Sequence, residues 1–129
     1  MIDHIGLSVS DYPRSRAFYL KALAPLGYDA VMDVTAEQSG GYQGTGFGKD
    51  QRPYFWIGTG GGPGGSIHIA LAAASRSEVD LFHAAAIAAG ARDNGAPGLR
   101  PHYHPNYYGA FVLDPDGYNI EAVCHAPEP

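Results

Sequence analysis

An α+β fold made of two related halves is what this sequence predicts, and three observations carry that prediction. Shifting the chain against itself by 64 places sets His4-Ile5-Gly6-Leu7 on His68-Ile69-Ala70-Leu71, and further on Phe18 on Phe82, Ala22 on Ala86 and Leu23 on Ile87. Apolar residues alternate with small or polar ones in several short runs, the period of half-buried strands, and each half also has one apolar-striped stretch at helical spacing. Finally, 18 glycines and 10 prolines accompany 45% hydrophobic residues, a composition of many turns around a real core.

The elements follow in order. Ile2–Val9 reads as a strand. Ser10-Asp11 with Pro13 then starts a helix over about 13–24, with Ala17, Phe18, Leu20 and Leu23 on its buried face, and Pro25 and Gly27 end it. Strands are expected near 28–34, 43–48 and 53–58, separated by glycine clusters. The second half repeats the plan. Ser66–Ala73 is a strand, Ser75–Ala89 a helix opened by Ser-Arg-Ser-Glu and closed at Gly90, and strands lie near 91–95, 107–113 and 118–124. All 129 residues form one domain in this reading, with modules at about 1–59 and 65–125 joined by the glycine-rich connection 58–65. That connection lacks the Lys-Ser/Thr helix start of a phosphate-binding loop.

Charge and composition narrow the function. A formal charge of -5 and eight scattered Lys and Arg residues argue against nucleic acid. No stretch approaches the roughly 20 apolar residues of a membrane span, and nothing resembles a signal peptide. With one cysteine, Cys124, no internal disulfide can form. A cytoplasmic protein is expected.

Strand alternation brings three potential ligands to one face. Ile5, Leu7 and Val9 point to the helix layer, which leaves His4, Gly6 and Ser8 opposite; in the second half Ile67, Ile69 and Leu71 leave His68, Ala70 and Ala72 opposite. The last strand follows the turn Asp114-Pro115-Asp116-Gly117. It turns Ile120, Ala122 and Cys124 to the helices and Glu121, with Asn119 and Val123, to the open face. An inward carboxylate requires a partner, and a divalent cation is one. Two histidines and one carboxylate on the same face form a ligand set with coordination sites left open for water or substrate.

The segment 94–108 reads as a long loop rich in groups able to move protons, and loops of that length are often functional. If the turn carries a glycine bulge, Asp114 pairs with Tyr118 and Phe111 with Glu121, and Tyr107 and Gly109 then share the open face. Tyr107 is the leading candidate for a substrate-facing hydroxyl, with His102 or His104 as general base. Arg100 is a candidate for meeting an anionic substrate. His83 and His125 are read as bystanders, and Cys124 as a small core residue.

Three stretches, DHIGLSVSDYPRSRAFY, IHIALAA and GAFVLDPDGYNIEAV, anchor the chain at its start, middle and end. In kind and spacing they resemble the vicinal oxygen chelate superfamily of glyoxalases, bleomycin-resistance proteins and extradiol dioxygenases. The resemblance implies two tandem βαβββ modules whose curled mixed sheets form a metal-binding cleft, with His4, His68 and Glu121 as ligands of one divalent ion: Zn, Ni, Mn or Fe(II). It implies a small-molecule substrate chelated through adjacent oxygens, and a homodimer. Two positions depart from the pattern. The first module's last strand, Tyr54-Phe55-Trp56-Ile57-Gly58, lacks the Glu or Gln ligand of glyoxalase I, with Trp56 or Ile57 standing there instead. Phe111 stands ten residues before Glu121, where extradiol dioxygenases place a tyrosine. Trp56 and Phe111 thus join Arg100 as expected substrate contacts. A glyoxalase-like lyase or isomerase is the leading expectation; an Fe(II) extradiol-type dioxygenase and a non-enzymatic drug or metabolite binder are the alternatives.

Overall fold

The computed structural model describes residues 2–60 and 67–128, so most of the expected connection and Ser66 lie outside the described residues. In the first half β1 (Ile5–Ser8), α1 (Tyr12–Leu23), β2 (Asp29–Val34), a short α2 (Ala36–Ser39), β3 (Gly44–Lys49) and β4 (Arg52–Gly58) follow one another. The second half runs β5 (His68–Ala72), α3 (Arg76–Ala88), β6 (Arg92–Leu99), β7 (Tyr108–Leu113) and β8 (Asn119–Cys124). Each half forms its own mixed sheet, ordered β1-β4-β3-β2 and β5-β8-β7-β6. In both, the first strand pairs parallel with the last, and the other neighbours are antiparallel. This is the doubled βαβββ plan expected from the repeat. The two sheets remain open.

Local chemistry sets the helix ends. Asp11 caps α1 by accepting from the Arg14 N–H at 3.2 Å, which places the start one residue before Pro13. A 3-10 turn, Ala24–Leu26, extends it past Pro25, and Gly27 closes it at φ 83°. Ser75 caps α3 through the Glu78 N–H, and the Glu78 carboxylate reaches back to the Ala74 N–H at 2.6 Å. On α1 the buried residues are Ser15, Phe18, Tyr19, Ala22 and Leu23. Ala17 lies on the exposed side, because the stripe passes through Tyr19 instead.

Two elements differ from expectation. Helix α2 was not anticipated; Thr35 and Gln38 build a reciprocal capping box around a single turn. Strand β6 continues to Leu99, through the part of 94–108 expected to be loop. Bulges between Asp93 and Gly95 and between Gly95 and Gly98 absorb the irregular residues, and Gly95 sits at φ 153°. The true hairpin tip is 100–107, closed by the Arg100 N–H donating to the Tyr107 carbonyl at 2.7 Å.

Helices α1 and α3 pack against each other and against the inner faces of both sheets, so one apolar cluster draws on both halves. Its aromatic centre is Tyr19, with ring centroids 4.9 Å from both Phe18 and Phe55. The Tyr19 hydroxyl, buried at the end of that ring, donates to Asp114 at 2.5 Å. The Tyr118 hydroxyl donates to the Ser8 carbonyl, and Asp116 accepts from Ser10, so the β7–β8 turn is tied to the first half. No helix among the described residues is long and apolar enough to cross a membrane.

Candidate metal centre

Strand register in the last hairpin is as expected, whereas His4, expected within the first strand, lies one residue before β1 begins. Phe111 faces Glu121 across β7 and β8, and Asp114 pairs with Tyr118 through its turn. Glu121 is 1% exposed, a charged group beneath an otherwise open sheet face. Its Oε1 lies 3.0 Å from Nε2 of His68, and its Oε2 accepts from the Tyr107 hydroxyl. Gly109 makes that approach possible: a Cβ there would stand 3.0 Å from Oε2 and 3.2 Å from the Tyr107 ring.

The protonation of His68 follows from its other nitrogen. Nδ1 lies 3.2 Å from the Asn119 carbonyl, which only accepts, so Nδ1 carries the hydrogen. In the neutral ring Nε2 is then a lone pair facing a carboxylate oxygen. Two acceptors in contact require a positive charge between them, either a proton or a metal ion. An imidazole anchored through its far nitrogen to a carbonyl, beside a carboxylate held by a hydroxyl, is also how ligands are oriented at metal sites. The donor set of His68 and Glu121 therefore fits a divalent ion.

Burial and the Glu121 carboxylate push the Tyr107 hydroxyl up to about 12. It therefore stays protonated at neutral pH and acts as a donor. Phe111 covers one side of His68, with ring centroids 6.0 Å apart and planes 21° from parallel. Arg100 lies 5.5 Å from the centroid of the same Phe111 ring and donates to the Ala96 carbonyl at 2.9 Å.

His4 stands apart from this pair. Its Nδ1 donates to Asp3 at 2.8 Å, which leaves Nε2 free, and its side chain is 60% exposed. His4 and His68 line one cavity of about 480 Å³ where β1 and β5 run along the edges of the two sheets, and Glu121 is not in that lining. Among the described residues, no group of three His, Cys, Asp or Glu side chains is gathered to hold a metal.

The remaining candidates divide. His102 and His104 occupy the exposed hairpin tip, His102 against Tyr103 at 4.2 Å and His104 accepting from the Asn106 N–H. His125, expected to be a bystander, packs edge-on against Tyr107 at 5.1 Å and near His104 at 5.7 Å. The signal for it was present, since residues 121, 123 and 125 share one strand parity. Cys124 is buried in the core cluster, and His83 bonds Asp93 at 3.0 Å. Trp56 pairs with Gly6 just as Glu121 pairs with Ala70, which makes Trp56, not Ile57, the first-module counterpart of Glu121.

A doubled βαβββ chain with two open mixed sheets has the vicinal oxygen chelate fold. The chain belongs to the Glyoxalase/Bleomycin resistance protein/Dioxygenase superfamily, whose model matches residues 1–122. A solved glyoxalase/bleomycin resistance protein from Albidiferax ferrireducens T118 is 29% identical, with a TM-score of 0.75 over 97% of this chain and 98% of that one. A glyoxalase/bleomycin resistance protein/dioxygenase family enzyme from Burkholderia phytofirmans PsJN shares the fold at 18% identity and a TM-score of 0.69, covering 97% and 98%. Glyoxalase I from Zea mays is 20% identical with a TM-score of 0.71; the match covers 99% of this chain and 46% of that one. No curated protein matches in sequence.

Proposed function

We propose that the chain is a metal-dependent glyoxalase-like enzyme, of lyase or isomerase style, that chelates a small oxygenated substrate on one divalent ion. The observation that supports this most is the pair of facing acceptors, His68 Nε2 and Glu121 Oε1 at 3.0 Å, with the Nδ1 hydrogen already committed to Asn119. His68 and Glu121 would hold the ion with His4. Since His4 does not join them within one chain, the third ligand comes in this proposal from a second copy, so the working unit is a homodimer. An ion with open positions supplies Lewis acidity to oxygen that becomes negative during the reaction. The chain's own residues do the rest. Asn119 fixes the His68 tautomer, Tyr107 holds the Glu121 carboxylate in one orientation, and Phe111 stacks along one side of the His68 ring. The two sheet faces receive the substrate, and a cytoplasmic setting, where thiols stay reduced, suits the lone buried Cys124.

Metal content after exposure to Zn, Ni, Mn or Fe(II) tests this. Wild-type protein is expected to bind about one ion per chain, and His4→Ala, His68→Ala and Glu121→Ala each to lose it. Mixing His4→Ala with His68→Ala chains should restore binding in part, because one of the two shared sites then keeps all its ligands. Folded wild-type protein that takes up none of these metals would mean a non-enzymatic binder. Oxygen uptake with Fe(II) and catechol-type compounds would instead favour a dioxygenase, for which the same ligand set is chemically suited.

A further inference from the structure

Trp56 is the only tryptophan in the chain, and it occupies the place where a fourth ligand would stand. Its indole lies over Gly46: a Cβ there would meet Cε2 and Cζ2 at 2.9 Å. Gly6 on the neighbouring strand leaves the other flank clear, with an added Cβ no closer than 3.7 Å to Trp56. The two glycines let a large flat ring lie along the sheet. Above it opens a cavity of about 580 Å³, within the range of small-molecule sites, whose apolar lining includes Met32, Pro53 and Tyr54.

The polar edge of this cavity is chemically specific. Arg52 lines it and forms no ion pair among the described residues, its guanidinium resting 6.0 Å from the Tyr54 ring centroid. The carboxylate of Asp3, on the same edge, is already engaged by His4 at 2.8 Å. The cavity thus offers a flat aromatic floor, apolar walls and a guanidinium that forms no direct ion pair among the described residues and feels the Asp3 carboxylate only at longer range. A ring stacked on indole and an anionic group beside the guanidinium match those features.

We infer that this cavity takes a small aromatic acid bearing an oxygen on the carbon next to its carboxylate, with the ring on Trp56 and the negative charge answered by Arg52. The adjacent oxygens rest on the chelating function proposed above; the ring and the charge rest on Trp56 and Arg52 alone. A substrate built round a long flexible chain would leave the indole face unused.

Because Trp56 is the only tryptophan, its fluorescence reports ring binding directly and without turnover. Titration with mandelate is expected to perturb the emission saturably and to bind about tenfold more tightly than lactate, which has the same oxygens and no ring, the advantage of roughly one aromatic contact. Hexahydromandelate, with a saturated ring, should fall between them. By calorimetry, Trp56→Leu should abolish the preference and Trp56→Phe keep most of it. Arg52→Ala should weaken mandelate and leave the uncharged 1-phenyl-1,2-ethanediol unaffected. Equal binding of mandelate and lactate, or no response of the emission, overturns the inference. Metal uptake measured on the same protein separates the two proposals: uptake without ring preference sinks this inference alone, and ring preference without uptake sinks only the metal-dependent reading.

Discussion

Trp56 and Glu121 hold the same place in the two sheets, each on the last strand of its module and each opposite a small residue of the first strand, Gly6 or Ala70. One module therefore presents a carboxylate where the other presents an indole. In the proposed centre the asymmetry would leave one side rich in ligands and the other an indole surface for substrate.

Trp56→Glu should restore a fourth donor beside His4. Zinc affinity, measured by competition with a chelator, is expected to rise by at least about tenfold, since each added charged ligand strengthens a site. Stability should fall by roughly 1–3 kcal/mol, as the indole no longer covers Gly46. Unchanged zinc affinity would place the ion away from Trp56.

Much of this arrangement was legible in the sequence because strand parity is strict. The pairing of Phe111 with Glu121 followed from counting back through one bulged turn, and the burial of Leu7, Val9 and Cys124 followed from alternation. The same rule would have found His125. Strand β6 was hidden because Gly95, Pro97 and Gly98 carry loop chemistry, and only the pairing of Gly95 with Phe111 and of Gly98 with Gly109 shows that they belong to a bulged strand. Helix α2 is too short for periodicity, and only its Thr35/Gln38 capping box betrays it. The separation of His4 from His68 and Glu121 was beyond sequence reasoning, since parity assigns a face to each residue but does not set the angle between two sheets.

The turn between β3 and β4 offers a stabilising change. Asp50 and Gln51 both have positive φ, 52° and 64°, as a two-residue hairpin of the primed type requires. Aspartate tolerates this conformation, whereas glutamine has no local hydrogen bond to compensate for it. Gln51→Gly is expected to raise stability by up to about 1 kcal/mol, the relief of strain less the added backbone entropy. A denaturant midpoint that falls would refute this.

Asp114 should give an inverted pH dependence. Its carboxylate accepts from the Tyr19 hydroxyl at 2.5 Å and from the N–H groups of Asp116 and Tyr118 at 2.8 and 2.9 Å. Burial nevertheless outweighs these bonds and raises its pKa above 3.8. The folded state thus favours the protonated acid, so the penalty for the charge is fully present above the folded pKa and disappears as pH falls below the unfolded value. Relative to Asp114→Asn, the wild-type protein should gain stability as pH drops towards 3.8, opposite to the trend for an ion-paired aspartate. Asp114→Ala should cost about 1–3 kcal/mol at neutral pH, because the Tyr19 hydroxyl loses its acceptor. Parallel pH curves for wild type and Asp114→Asn would show that the carboxylate is not desolvated.

The bonds from that same turn to Ser8, Ser10 and Tyr19 also bear on the ancestry of the chain. A freshly doubled unit would be two interchangeable copies, each able to fold by itself or pair with any other. Here the fully buried Tyr19 of the first copy donates to an acid of the second, and the second copy's Tyr118 reaches a carbonyl of the first. Still recognisable as twins in their strands, the halves now share one core and hydrogen bonds that neither completes alone.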